Sequence, residues 1–167
     1  EGALGAWEGA QMYESIAQFS DAARLYEAYG RGFPQAEKNH EALYNAVLLR
    51  VTAGDYDEAI EVGGVYMERY RRRENADDVA FFIGRAHEGN EDWEEAADTY
   101  RAYVRRARNL DRKVEAQTRL AQVLARAGNE QAAARALAAA VRLGKRNRRR
   151  LSDGLYFAAQ ARYLEGE

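Results

Sequence analysis

Four alanines, Ala22, Ala59, Ala96 and Ala133, follow one another at a constant interval of 37 residues. Their flanks recur with them: Phe19-Ser20-Asp21-Ala22-Ala23, Tyr56-Asp57-Glu58-Ala59-Ile60, Trp93-Glu94-Glu95-Ala96-Ala97 and Glu130-Gln131-Ala132-Ala133-Ala134. A spacing kept through four matching segments is an internal repeat. A unit of this length cannot bury its own apolar face, so the chain is restricted to a stack in which neighbouring units cover one another.

The flanks say what the unit is made of. An aromatic stands three residues before the alanine in three units, as Phe19, Tyr56 and Trp93. Apolar or small residues follow four and seven after it: Tyr26 and Tyr29, Gly63 and Tyr66, Tyr100 and Tyr103, Leu137 and Ala140. This is one stripe of an α-helix. Upstream runs a second helical stripe that ends at Gly54-Asp55, Gly89-Asn90 or Gly128-Asn129, a helix stop set against a helix start. Each unit is therefore helix, tight turn, helix. The periodicity predicts helices over 4–16, 20–31, 37–53, 56–72, 77–89, 92–108, 112–127, 130–143 and 149–164.

The remaining composition supports this and removes whole classes of chemistry. Of 167 residues, 47% are apolar and 31% charged, a balance that folds in water. A single proline suits long helices, and the absence of cysteine removes disulfides, thiolate catalysis and thiolate-bound metals. The metal-protease, phosphate-loop and serine-hydrolase signatures are missing, and the two histidines, His40 and His87, stand far apart. No enzyme, cofactor or metal site is expected. No apolar run is long enough to span a membrane. The chain opens on Glu1 without a leader pattern, so an excised segment of a longer protein is expected.

The unit resembles the tetratricopeptide repeat (TPR), in a longer-period bacterial form with 37-residue units. The match is best over Ala42-Leu43-Tyr44-Asn45-Ala46 through Gly54-Asp55-Tyr56-Asp57-Glu58-Ala59-Ile60, and next best over Ile83-Gly84, Trp93-Glu94-Glu95-Ala96 and Tyr100. The family's usual unit is about 34 residues, so longer inter-unit loops are expected. Proline after the second helix survives only at Pro34, and Gly63 stands where an aromatic is usual. The resemblance implies an all-α, TPR-like right-handed superhelical solenoid of stacked antiparallel helix pairs, about nine helices in a single array over 1–167. Its units run approximately 3–39, 40–76, 77–113, 114–150 and a partial fifth over 151–167. The last helix is either the first half of a cut unit or a natural cap. Left unpaired, it would offer Leu151, Leu155 and Tyr156 for self-association.

In the resembled family the first helix of each unit lines a concave face. A comb of 37 residues through those helices selects Trp7, Tyr44, Phe81, Thr118 and Leu155, and one turn on Gln11, Leu48, Arg85 and Gln122. These are the expected groove residues, although the rings also suit the core. The family's carboxylate clamp is incomplete: Asn45 fits, while Trp7, Asp78 and Phe82 occupy places that need cations or an amide. A chaperone C-terminal tail is therefore not expected as ligand.

Charge adds a second surface. Residues 1–100 hold 9 basic and 21 acidic side chains, and residues 101–167 hold 16 and 6, so a net charge of −2 hides a strong asymmetry. Basic clusters follow the second helices: Arg71, Arg72, Arg73; Arg105, Arg106; and Lys145, Arg146, Arg148, Arg149, Arg150. Acids at helix starts and bases at helix ends complement the helix dipole, but five bases within 145–150 exceed that need. The expected function is a non-enzymatic protein–protein interaction scaffold whose partner offers apolar anchors and acidic character. The alternative is an anion-binding module for nucleic acid or an anionic membrane. Nucleic acid is disfavoured because no aromatics interleave the basic runs. The stretch Ala23-Arg24-Leu25-Tyr26 to Phe33-Pro34 is similar to TPR units of bacterial envelope assemblies. That likeness implies a periplasmic or outer-membrane-associated setting rather than the cytoplasm.

Overall fold

A computed structural model of the chain describes residues 2–146. Eight helices fill this span: α1 (Gly2–Ser15), α2 (Phe19–Gly32), α3 (Asn39–Ala53), α4 (Tyr56–Tyr70), α5 (Ala76–Gly89), α6 (Trp93–Arg106), α7 (Leu110–Arg126) and α8 (Glu130–Arg146). No strand occurs among the described residues. The expected ninth helix, with Leu151, Leu155 and Tyr156, lies outside them. The chain divides after Glu91 into two compact units, the first holding α1–α5 and the second α6–α8.

In the first unit each helix packs on the next in chain order, and α3 also packs on α5. In the second, α7 packs on both α6 and α8. The short links force antiparallel neighbours. At the α3–α4 link Gly54 takes φ +86°, a left-handed conformation that spares glycine the usual Cβ clash. Asp55 then starts α4, its carboxylate receiving Arg50 at 2.9 Å rather than capping the helix. Asn129 does cap α8, accepting from the Ala132 amide at 3.2 Å. The Gly89-Asn90 pair behaves differently. Gly89 lies inside α5 and the left-handed turn falls on Glu91, at φ 62°. Gly89 is instead required by the Tyr56 ring, which lies where its Cβ would stand.

The repeated alanines mark the helix crossings. Ala22, Ala59 and Ala96 are wholly buried, and Ala133 is 8% exposed. Tyr26, Tyr66, Tyr100 and Tyr103 fill the spaces between helices and are themselves buried. The apolar part of each ring gains roughly 25 cal/mol per Å² removed from water.

Size is exchanged across the contacts between hairpins. A Cβ on Gly30 of α2 would overlap the Leu43 side chain of α3. One repeat later the same two positions hold Met67 and Ala80. A Cβ on Gly63 of α4 would stand 2.7 Å from Ile83 of α5, while the equivalent positions one repeat earlier hold Tyr26 and Ala46. The sequence leads one to expect a close backbone approach or a small pocket at Gly63. The structure places the Ile83 side chain there.

Asn39 ties the first hairpin to the second. It is 1% exposed, and its amide donates to the carbonyls of Gly30 at 2.8 Å and Phe33 at 2.7 Å. Its oxygen accepts from the Tyr70 hydroxyl at 2.7 Å. Gly30 also accepts from Arg69 at 3.1 Å, so the carbonyl end of α2 is held from α3 and α4 together.

Two adjacent glycines provide a matched test. Gly64 is exposed and a Cβ there would meet nothing within 4 Å. Gly64→Ala should stabilise the protein by up to about 1 kcal/mol, since alanine is the better helix former. Gly63→Val should cost about 1–3 kcal/mol by overpacking Ile83. Thermal melts followed by circular dichroism should move in opposite directions for the two variants.

Candidate partner-binding surface

The two combs of expected groove residues differ in burial, with Tyr44 of the first comb half-buried like Leu48 and Gln122 of the second. Trp7, Phe81 and Thr118 are 6, 1 and 2% exposed, so they belong to the interior and do not form an open ladder. Trp7 meets Tyr26 and Tyr29 edge-on at 5.3 and 5.6 Å, and the Lys38 ammonium sits 4.5 Å from its ring centroid. Phe81 lies 6.4 Å from Phe82. The Thr118 hydroxyl donates to the Val114 carbonyl within its own helix at 3.0 Å. Adjacent rows on a helix are separated by only about 100°, and a 37-residue comb alone does not tell which row faces inward.

The next row fares differently. Gln11 and Arg85 are exposed, and Leu48 and Gln122 are half-buried. In the first unit this row comprises Gln11 of α1, Leu48 of α3 and Arg85 of α5, and α3 packs directly on α5. Tyr44 stands half-buried one turn before Leu48, its ring 6.1 Å from Phe82. These side chains offer a partner one aliphatic contact, one aromatic contact, an amide and a cation.

Two phenols of the first unit are buried. The Tyr26 hydroxyl donates to Glu14 at 3.0 Å and also hydrogen-bonds with Asn45. Burial, and then the neighbouring Glu14 carboxylate, push the Tyr26 phenol up to about 12. Tyr66 is wholly buried and its hydroxyl has no hydrogen-bond partner. Burial raises its pKa, the Arg73 charge works against that rise, and Tyr44, Tyr70 and Asp78 add to it. The basic α4–α5 loop leads directly into α5, whose Phe82 ring lies against Tyr44.

Arg71, Arg72 and Arg73 are exposed and, with Glu68, Arg69 and Tyr70, line a shallow cavity of about 380 Å³ in the first unit. Arg105, Arg106 and Lys145 are exposed in the second unit. Arg148, Arg149 and Arg150, and the side chain of Arg146, lie outside the described residues. The acids at the helix starts already have local structural roles: Asp55 receives Arg50 and Asp57 accepts from Asn90 at 2.6 Å. Among the described residues, no group of His, Asp and Glu is placed to hold a metal ion, and no helix is long and apolar enough to cross a membrane.

Sequence reasoning missed the buried polar contacts of the first unit. Asn39 is a single polar residue whose partners lie on other helices and which does not recur at the 37-residue interval. The Tyr26–Glu14 pair recurs in sequence two repeats on, as Tyr100 and Glu88, and that recurrence was the available signal.

No protein-family model and no curated protein matches the chain. Solved structures match it in fold. The apo form of RapI aligns over 99% of this chain with a TM-score of 0.71 at 13% identity, and this chain spans 62% of that one. The nearly identical TPR-like repeats assigned to a kinesin light chain of Podosopora anserina align over 99% of this chain and 96% of their own, with a TM-score of 0.66 at 13% identity. MamA aligns over 94% of both chains, with a TM-score of 0.66 at 15% identity. The fold is that of a TPR-like all-helical solenoid.

The Tyr26 environment yields a pH prediction. Its phenol ionises at a higher pH in the folded chain than the ordinary value of 10.0. The stabilisation is therefore fully present below pH 10.0 and is lost as pH rises toward about 12. Denaturation curves across that window should fall more steeply for the wild type than for Tyr26→Phe.

Proposed function

We propose that the chain is a protein-interaction scaffold. Its first unit receives a partner segment across α3 and α5, with an apolar anchor on Tyr44 and Leu48 and acidic residues at Arg85 and the Arg71–Arg73 loop. The observation that carries this reading is the half-buried Tyr44 ring set 6.1 Å from Phe82 of α5, the helix into which the exposed Arg71–Arg73 loop leads. A segment that reads both needs a large apolar side chain flanked by carboxylates. The apolar anchor would supply affinity and the exposed arginines association rate. The TPR-like fold supports the reading, because stacked helix pairs present extended surfaces on which peptide segments lie. A bacterial envelope setting is part of this proposal.

The alternative is recognition of phosphate groups through the arginine clusters. It is favoured only by the exposure of Arg71–Arg73 and Arg105–Arg106. The two readings differ in their response to salt, since phosphate recognition weakens steeply with added salt and apolar anchoring does not.

Selection of a randomised peptide library on the immobilised protein tests the proposal. Recovered peptides should pair a large apolar residue with Asp or Glu. Leu48→Asp should weaken their binding by more than about tenfold, equivalent to about 1.4 kcal/mol. Replacing Arg71, Arg72 and Arg73 by serine should slow association and flatten the salt dependence. Failure to select any peptide, together with tight salt-sensitive binding of single-stranded DNA or phosphatidylglycerol vesicles, would replace the scaffold with the anion-binding reading.

A further inference from the structure

Gly5 and Met12 stand two turns apart on one face of α1. In every later first helix the residues at the same register are buried. They are Ala42, Val79 and Ala116 for Gly5, and Leu49, Ala86 and Val123 for Met12. In each case a preceding second helix packs against that first helix: α2 on α3, α4 on α5, α6 on α7. On α1 the face is uncovered among the described residues. A Cβ on Gly5 would meet nothing within 4 Å. Met12 is 61% exposed. The repeat itself therefore says what kind of element fits here: a helix of the second type, with small and apolar residues along its contact stripe.

The geometry points to a second copy of this chain as the occupant, seating its α8 on α1. The last second-type helix among the described residues is α8. Its Ala134 is exposed, whereas the equivalent residues Ala23 and Ala97 are 0 and 2% exposed and Ile60 is half-buried. Charge agrees with the pairing. The helix α1 carries Glu8 and Glu14 and no basic residue, while α8 carries Arg135, Arg142 and Lys145 against Glu130. An acidic first helix meets a basic last helix. The contact joins two different surfaces, so it is head-to-tail and leaves one free face on each end of the assembly. It is independent of the partner surface on α3 and α5.

Complementation of two interface variants tests this. Gly5→Glu puts a charge on the α1 face without a steric conflict, and glutamate is a better helix former than glycine. Ala134→Glu does the same on exposed α8. Circular dichroism checks that both fold. In sedimentation velocity the wild type should form larger species as concentration rises, and added salt should weaken them. Each variant alone should associate at least about tenfold more weakly, because a carboxylate is forced into an apolar contact. An equimolar mixture should restore a two-chain species and nothing larger, since one intact α8 still meets one intact α1. A wild type that stays monomeric at every concentration overturns the proposal. So does an Ala134→Glu variant that self-associates as well as the wild type, or a mixture that remains monomeric.

Discussion

Helices can stack in this chain only where their backbones come close, and the wholly buried alanines Ala22, Ala59 and Ala96 mark those crossings. A methyl group leaves the neighbouring helix room to approach. The volume left on either side of the crossing must then be filled, and Tyr26, Tyr66, Tyr100 and Tyr103 fill it. The requirement is for total volume at a contact, and which helix supplies it is free to change. Gly30 against Leu43 becomes Met67 and Ala80 one repeat later, and Tyr26 and Ala46 become Gly63 against Ile83. Interiors tolerate such exchanges when the sum is conserved.

That freedom explains how much could be read from the amino acids. Period and stripe define the helices, because the alanine and its aromatic recur in register and local chemistry marks the stops. All eight helices in the described span match expected ones to within a few residues. The turn after α5 is the exception, because Gly89 looks like a left-handed helix stop. Its lack of a side chain serves Tyr56 instead, a partner on the preceding helix. A residue type can be required by local backbone geometry or by a distant ring, and one sequence does not distinguish the two.

The candidate surface was harder to read for a related reason. Tyr44, Leu48 and Arg85 sit on the accessible side of their helices, whereas Trp7 and Phe81 turn inward. Aromatics are large enough to serve either as core or as anchor, and periodicity places both within one wide stripe. Burial decides between them, and burial depends on what the neighbouring hairpin brings. The α1 face is the converse case. Its residues look unremarkable until the equivalents on α3, α5 and α7 show what normally lies over them.

Asn39 carries a liability of chemical ageing. Its two donated hydrogen bonds, to Gly30 and Phe33, exist only while the side chain is an amide. Hydrolysis to aspartate would turn the donor toward those carbonyls into an acceptor and set negative charge against two oxygens at the end of α2. Complete burial and three hydrogen bonds hold the amide away from the backbone attack and the water that deamidation needs. The latch between the first two hairpins is thus also what preserves the latch. Any loosening there would expose the amide and make itself permanent, one chain at a time, on the timescale of storage rather than of folding.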